Sequence, residues 1–504
     1  MASNANSQTK GYGTRHTFTI LSFIGYFHLY ALRFNISIAI VAMVKHKDTL
    51  PANNFTEITE CPDPGYNKTT KMSNQATYDW DEATQGLILS SFFYGYALTQ
   101  IPGGFLAEKI GGKRLFGYGI LITAILSLLT PVSAKVGTWA VVIVRVMMGL
   151  AEGVTIPALS SMQGKWLPRL ERSLLSNIAN AGAHFGNVIC LPIAGYLSYS
   201  DTLGGWPSGF YIFGGAACVW FFFWHFMVFE SPAVHPRIAP DEKQYIESTT
   251  GVRRRKRYPT PWKALLTSSA MWAIILTAFL QTWGGYVTHT TLPRYMHTIQ
   301  KFDIAQDGVL MALPNLFNIF ASVVGSWFAD FLLKKKWLST VVVRKLLNTL
   351  GLLPAALCVP FIPLAGCDHV TVVALIVVGN GMLGVCGSGL WVNILDIGNN
   401  FSGITMGLAN FSANLSGVIA PYFVGLMTND NETMEQWNSI FYVSMALYLL
   451  GIFVFIVFAR GSEQSWNHLP QTETDIDEQD KEKNNTQDRE INQSPYNGKN
   501  TEHL

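Results

Sequence analysis

The sequence predicts an all-α membrane protein with twelve transmembrane helices in two six-helix bundles. Three observations point to that fold class: long apolar segments, an uneven division of Lys and Arg between their ends, and a repeat of the chain within itself. Only 13% of the 504 residues are charged and 49% are hydrophobic, with 31 Phe, 14 Trp and 44 Gly. A soluble domain carries about 25% charged residues. This composition excludes a soluble enzyme, a nucleic-acid binder or a disordered scaffold as a description of the whole chain. The net charge of +2 says nothing about partners, because the charges are segregated along the sequence. Six scattered cysteines without a C-x-x-C pair exclude a disulfide framework and a zinc site.

A membrane helix needs about 20 mostly apolar residues. Segments that meet this test run approximately 16–44, 84–106, 115–133, 138–160, 174–199, 208–229, 269–293, 308–332, 344–363, 370–393, 403–427 and 438–460. The first is long, which suits a tilted helix or one that extends beyond the lipid. The polar stretch before it, with no small-residue cleavage site after a short apolar core, argues against a removable signal peptide.

Lys and Arg set the orientation, because they are retained on the cytoplasmic side. With the N-terminus inside, the inner segments hold 21 of them and the outer loops 7. Both termini are therefore expected in the cytoplasm. The expected division is a cytoplasmic N-terminus over 1–15, a first bundle over 16–229 with an outer loop at 45–82, and a cytoplasmic linker over 230–268. A second bundle follows over 269–460, then a tail over 461–504. The outer loop carries two glycosylation sequons, Asn54-Phe-Thr56 and Asn67-Lys-Thr69. Cys61 and Cys367 both fall outside, in different halves, where a bridge could join them. The linker run Arg253 to Arg257 reads as a positive-inside signal. The tail has ten acids and four bases and is expected to be disordered.

The repeat joins the two bundles. At an offset of 230 residues, Ala179, Asn180, Ala183, Val188, Ile189 and Gly195 of the fifth span recur in the eleventh. A second echo follows spans two and eight: Ala107-Glu108 before Lys113-Arg114, and Ala329-Asp330 before Lys334 to Lys336. Both echoes join helices six apart. A six-plus-six duplication is the architecture of a rocking transporter, whose solute site lies near the midplane between the halves.

An ionisable group at mid-membrane costs roughly 2.5–3.5 kcal/mol or much more, so each needs a reason. Arg33 lies in the first span; Arg145 and Glu152 lie in the fourth, about two turns apart on one face. If Arg145 and Glu152 neutralise each other, Arg33 is left without a partner. The three charges sum to +1, and no other acid lies deep in a span. A buried positive surplus calls for an anion, and a proton on Glu152 would increase that demand, which links proton occupancy to anion affinity. His184 and Asn414 occupy equivalent places in the repeated helices, with Asn410 one turn from Asn414; they either line the pathway or bond across helices. His28 and His289 read as packed polar groups, and Tyr94, Tyr96 and Trp283 as aromatic packing or interface anchors.

The loop Gly104-Phe-Leu-Ala-Glu108-Lys109-Ile-Gly111-Gly-Lys113-Arg114 resembles the cytoplasmic signature of the major facilitator superfamily, with Glu where Asp is usual. The resemblance implies an inner gate latched by Glu108 against a neighbouring helix end, with Lys113 and Arg114, and a looser second copy at Asp330. The segments Ser91 to Gly104, Arg145 to Ala158, Trp166 to Ser173, Leu395 to Ile397 and Ser402 to Asn410 are similar to the anion:cation symporter family. That family contains sialin, the vesicular glutamate transporters and the type I sodium–phosphate cotransporters. The resemblance covers roughly 16–460 and implies that Arg33 binds the solute's negative group, and that Glu152, with Arg145 as its charge partner, couples the cation. Gln281 stands where the vesicular glutamate transporters have a second arginine, Leu89 where they have a histidine, and Ser160 where sialin has a histidine. One fewer cation turns the expectation from a dicarboxylate towards phosphate or a monovalent organic anion.

The expected function is secondary symport of a small anion by alternating access, with inorganic phosphate first, coupled to sodium or protons and without a cofactor. A proton- or voltage-driven carrier of an acidic sugar, glutamate or urate is the alternative, and an anion channel on the same scaffold the second. No Gly-x-Ser-x-Gly, His-Glu-x-x-His or Gly-x4-Gly-Lys-Ser/Thr motif supports an enzyme or an ATP-driven pump. The remaining expectations are His184, Asn410 and Asn414 beside Arg33 at the solute site, no metal, no nucleic acid, a monomer in a lipid bilayer, and the plasma membrane rather than lysosomes or vesicles.

Overall fold

The computed structural model describes residues 12–44, 77–199, 204–250, 260–287, 295, 304–428 and 433–467. Among these, the first half comprises α1 (Thr14–Met43), α2 (Glu82–Ile110), α3 (Gly112–Val136), α4 (Thr138–Gly153) continued by α5 (Thr155–Trp166), α6 (Arg172–Tyr199) and α7 (Pro207–Met227). Two short helices, α8 (Pro240–Thr250) and α9 (Trp262–Leu266), lie in the linker. The second half comprises α10 (Ser269–Tyr286), α11 (Ile304–Lys334), α12 (Thr340–Leu364), α13 (His369–Met382) continued to α14 (Val392–Ile397), α15 (Ser402–Met427) and α16 (Met434–Phe458). Counting α4 with α5 and α13 with α14, these make the twelve expected spans.

Eight of the spans are long and apolar enough by themselves to cross a membrane. The four that fall short are α2, α6, α10 and α15. Across the seam between the halves, α2 packs on α15 and α6 on α11. The packing within each half follows one plan. In the first, α1 lies on α6, α2 on α4, and α3 on α7; in the second, α10 lies on α15, α11 on α13, and α12 on α16. The internal repeat is thus a repeat of packing as well as of sequence.

Two spans are broken, for different reasons. Pro157 has no N–H to offer the Gly153 carbonyl, so the ladder of the fourth span is interrupted directly after Glu152. The tenth span passes through a 3₁₀ turn, Leu383–Val385, and a wider π turn, Gly387–Trp391, in a stretch rich in glycine. In the first half, Phe18, Phe116, Trp166, Trp220 and Trp224 form an aromatic core. Its indoles are satisfied locally: Trp220 donates to the Leu21 carbonyl and Trp224 to the Lys113 carbonyl, each at 3.0 Å.

The linker is more ordered than a bare connection. Glu242 of α8 accepts from the Thr14 backbone at 2.9 Å, the Arg15 backbone at 3.2 Å and the Arg15 guanidinium at 3.0 Å. Arg15 also donates to Glu171 at 2.8 Å. At the other end of α8, the Thr250 carbonyl accepts from Asn399 of the second half at 3.0 Å. The linker helix therefore touches both halves. The tail, expected to be disordered from residue 461, is packed as far as Asn467. Gln464 donates its backbone N–H to the Ile397 carbonyl at 2.9 Å, and Trp466 is buried beside Phe401. Cys367 is disulfide-bonded, whereas Cys190, Cys218, Cys358 and Cys386 are free. Asn54, Cys61, Asn67, the run Arg253 to Arg257, His289 and the chain beyond Asn467 lie outside the described residues.

Burial raises the Glu242 carboxyl's pKa, but the two backbone N–H groups and the Arg15 guanidinium outweigh it and leave the carboxyl below its ordinary range. A depressed carboxyl pKa stabilises the fold above the ordinary value, and that stability is lost as pH falls through the lowered one. Glu242→Gln should cost about 1–3 kcal/mol at neutral pH and remove this acid-dependent loss. Thermal melts from neutral pH down through the ordinary carboxyl range and below it check it; a variant that melts like the parent at every pH would show that the clasp contributes nothing.

Candidate functional site

Arg33 lies in α1 and is 6% exposed, Glu152 in the last turn of α4 at 0%, and Arg145 two turns earlier at 3%. The fourth span reaches α1 because α2 and α4 touch backbone to backbone. A side chain on Gly149 or Gly153 would collide with the carbonyls of Phe92 and Tyr96, so glycine is what permits the approach. That contact brings Phe92 and Tyr96 beside the charges.

The pairing differs from the expected one. Arg33 donates to Glu152 Oε1 from Nε at 2.8 Å and also from Nη2. Arg145 is not bonded to Glu152: among the described residues its one hydrogen bond is a long one, 3.5 Å, from Nη1 to the Arg33 carbonyl, and its Nε is buried without a partner. The reason is geometric. Two turns separate Arg145 from Glu152 along one helix by about 10 Å, whereas Arg33 enters from a neighbouring helix at Glu152's own level. Glu152 Oε2 is buried with no hydrogen-bond partner. The Arg33 guanidinium lies over the rings of Tyr96 at 4.4 Å and of Tyr30 and Phe92 at 4.9 Å, and Arg145 lies over Phe92 at 4.9 Å. The positive surplus expected on Arg33 thus resides formally on Arg145, against the face of an aromatic ring.

The remaining expected site residues divide. Asn410 of α15 donates to the Tyr96 hydroxyl at 3.2 Å and to Gln100 at 2.8 Å, which joins the second half to the ring covering Arg33. Asn414 donates to the Asn410 carbonyl at 2.6 Å and accepts from Tyr286 of α10 at 3.2 Å. His184 faces Asn315 at 3.4 Å in the other seam, between α6 and α11, rather than the Arg33 cluster. Tyr96, read from sequence as ordinary packing, connects the charges to the opposite half. The available signal was the pair Phe92 and Tyr96, one turn apart, facing Gly149 and Gly153 at the same spacing.

At the end of the bundle that holds the termini, two acids cap helix starts of the opposite half. Glu108 accepts from the Gly403 backbone at 3.4 Å at the start of α15, and Asp330 from the Leu174 backbone at 2.9 Å at the start of α6. A carboxylate there meets unpaired N–H groups and the positive end of the helix dipole. Lys113 and Arg114 do not join this latch: Lys113 lies over Phe229 at 4.7 Å, within its own half, and Arg114 is exposed. The bases of the seam are instead Arg172 and Arg344. Arg172 donates to the Leu395 carbonyl at 3.1 Å and to Asp396 at 3.3 Å; Arg344 donates to Asp396 at 2.6 Å and to Ser173 at 2.9 Å. Arg344 lies in the second turn of α12, and Arg172 opens α6, where a cation is disfavoured unless an acid attends it. That position was the signal sequence reasoning missed.

Removing one member of a buried ion pair costs about 3–5 kcal/mol, because the other is left uncompensated. Arg33→Leu should therefore lower the melting point in detergent sharply, and adding Glu152→Leu should restore most of it. Arg145→Leu should be the milder single change; if it is the more damaging, Glu152 belongs to Arg145 instead.

Comparison with known proteins agrees with this architecture. The sequence profile of the Major Facilitator Superfamily matches residues 22–421. Human sialin is 38% identical over 455 residues, 90% of each chain. Vesicular glutamate transporter 3 of Danio rerio is 36% identical over 463 residues, 90% of this chain and 75% of that one. A Drosophila melanogaster protein named provisionally as an inorganic phosphate cotransporter is 36% identical over 465 residues, 91% of this chain and 87% of the other. The solved structure of the proton:xylose symporter XylE has the same fold, with a TM-score of 0.65 at 14% identity, covering 89% of this chain and 96% of that one. The chain belongs to the major facilitator superfamily, within the group of anion transporters that contains sialin, the vesicular glutamate transporters and the type I phosphate cotransporters.

Proposed function

We propose that this protein is a secondary active symporter that carries a small monovalent anion together with a proton, by alternating access of the site at Arg33. The supporting observation is the one-sided pairing of Glu152: one oxygen holds Arg33, and the other is buried with nothing bound to it. A proton taken up by Glu152 weakens its hold on Arg33, and the freed guanidinium accepts the anion. The charge count fits this exchange. Arg33, Arg145 and ionised Glu152 sum to +1; a proton raises the sum to +2, and a monovalent anion returns it to +1. The buried charge is then the same in the empty and the doubly loaded site, which keeps the desolvation cost of reorientation nearly constant.

Monobasic phosphate is the first solute to test, since this site lacks the second arginine expected for a dicarboxylate: Gln281 stands there, buried. Relatives named for glutamate and for phosphate support an anion without choosing between them. Sodium is the rival coupling ion. The cell-surface membrane, with both termini cytoplasmic, is the proposed setting.

The test is uptake of phosphate, glutamate, sialate and urate by proteoliposomes under imposed proton, sodium and voltage gradients. Phosphate should accumulate down an inward proton gradient and show saturable counterflow. Arg33→Ala should abolish uptake, and Glu152→Gln should preserve exchange while losing accumulation. Accumulation that follows sodium alone, or survives in Glu152→Gln, would overturn the proton assignment; an ohmic current would make the protein a channel.

A further inference from the structure

We propose that the wide turn Gly387–Trp391 of the tenth span is a neutral catch, engaged by Asn177 of the opposite half, that holds the molecule closed at the end bearing the termini. Asn177, on α6, is buried. Its amide donates to the Ser388 hydroxyl at 3.3 Å and to the Ser173 carbonyl at 2.9 Å, and its oxygen accepts from Ser322 at 3.3 Å. Ser388 is also bonded to Ser326 at 2.8 Å. The Ser388 carbonyl accepts from Arg344 at 2.8 Å, and the same Arg344 nitrogen reaches Ser173 of the first half at 2.9 Å. One residue of the turn thus uses both its hydroxyl and its carbonyl in the seam.

The turn is shaped for this contact. A side chain on Gly387 would occupy the place of the Asn177 amide oxygen, and one on Gly389 would lie 2.6 Å from the Asn348 backbone nitrogen. The first glycine makes room for the opposite half and the second lets the turn lie against its own half. A π turn widens the helix and leaves a carbonyl outside the ordinary ladder, and such turns occur mostly where a helix does something besides span. Here the Ser388 carbonyl accepts from Arg344. The Asn177–Ser388 bond at the centre of the catch is neutral and buried, so salt weakens it far less than it weakens an ion pair. The bonds of the catch are few enough to break when the halves part, which lets it set the ratio of two states without locking one.

The inference rests on the two-state reading of the preceding section but not on the solute. Its test is a distance measurement on the full-length protein in nanodiscs. Spin labels carried on unnatural amino acids at Lys109 and Lys335, both exposed and in opposite halves, report opening at the end that holds the termini. Gly387→Ala should raise the ratio of long to short distances about fivefold, the effect of losing one buried neutral hydrogen bond. Asn177→Ala should do the same, and Gly387→Ala added to Asn177→Ala should change the ratio less than twofold. High salt should leave these shifts in place. Gly215→Ala, where nothing lies within 4 Å of the added carbon, is the neutral control. An unchanged ratio in Asn177→Ala overturns the proposal, as does a Gly387→Ala shift of equal size in the Asn177→Ala background. Should Gly387→Ala fail to fold, Asn177→Ala decides alone. Failure of every anion in uptake would count against the solute reading and leave the distance result standing.

Discussion

A charge inside a bilayer must be partnered, and much of the local architecture of this protein follows from meeting that requirement at Glu152. Its partner, Arg33, comes from α1. For Arg33 to reach it, α4 must lie close to α2, and glycines at 149 and 153 make that approach by removing the side chains that would otherwise strike the Phe92 and Tyr96 carbonyls. The rings displaced toward the charge then cover the guanidinium. The break at Pro157 follows one turn later, so Glu152 stands where its helix ends as a regular cylinder. Backbone, rings and charges are consequences of one another here, and Arg145 is the member that remains without a carboxylate.

The same requirement is met differently at the end that holds the termini. There the partners are helix starts and a buried ion cluster shared between the halves rather than a pair sealed within one half. Glu108 and Asp330 each cap a helix of the other half, so the internal repeat produces two equivalent latches from one motif. Asp396 then receives one arginine from each half, and α8 ties the first turn of α1 to the hairpin before α15. Each helix cap contributes on the order of 1 kcal/mol, and the cost of desolvating the buried arginines offsets much of their attraction to Asp396. A carrier needs its states within a few kcal/mol of one another, and many modest contacts meet that condition better than one strong lock.

The fold was legible because lipid imposes a simple rule. Each of the twelve apolar segments coincides with a helix or a broken helix to within several residues, except where the structure is not described. Packing order was legible through the echoes of α6 in α15 and of α2 in α11. The charged residues of the site were legible too, since Arg33, Arg145 and Glu152 are costly wherever they point. Their pairing was not: spacing along one helix relates Arg145 to Glu152 but says nothing of how far another helix stands away. Tyr96 read as packing or an interface anchor, and Phe92 was not singled out, because aromatic residues are ordinary in membrane helices. Arg172, Arg344 and Asp396 looked like the charges that flank any span. The packed start of the tail was hidden by the polarity of the residues after it, which dominate its composition.

The location of the free cation constrains how such a site can work. Arg145 is fixed by the fold against Phe92, while Arg33 is held by a single carboxylate oxygen beneath rings that belong to α1 and α2. Both guanidinium groups lie over aromatic rings, so the carboxylate is what separates them: in the proposed exchange, neutralising Glu152 releases donors of Arg33 at the moment of binding, and Arg145 has no such partner to lose. Tyr96 carries that event onward, for it covers Arg33 and accepts from Asn410 of the other half. A change in the hold on Arg33 therefore alters the ring that the second half grips. In the proposed mechanism, this ring is the physical link from an ionic exchange on one side of the seam to movement across it.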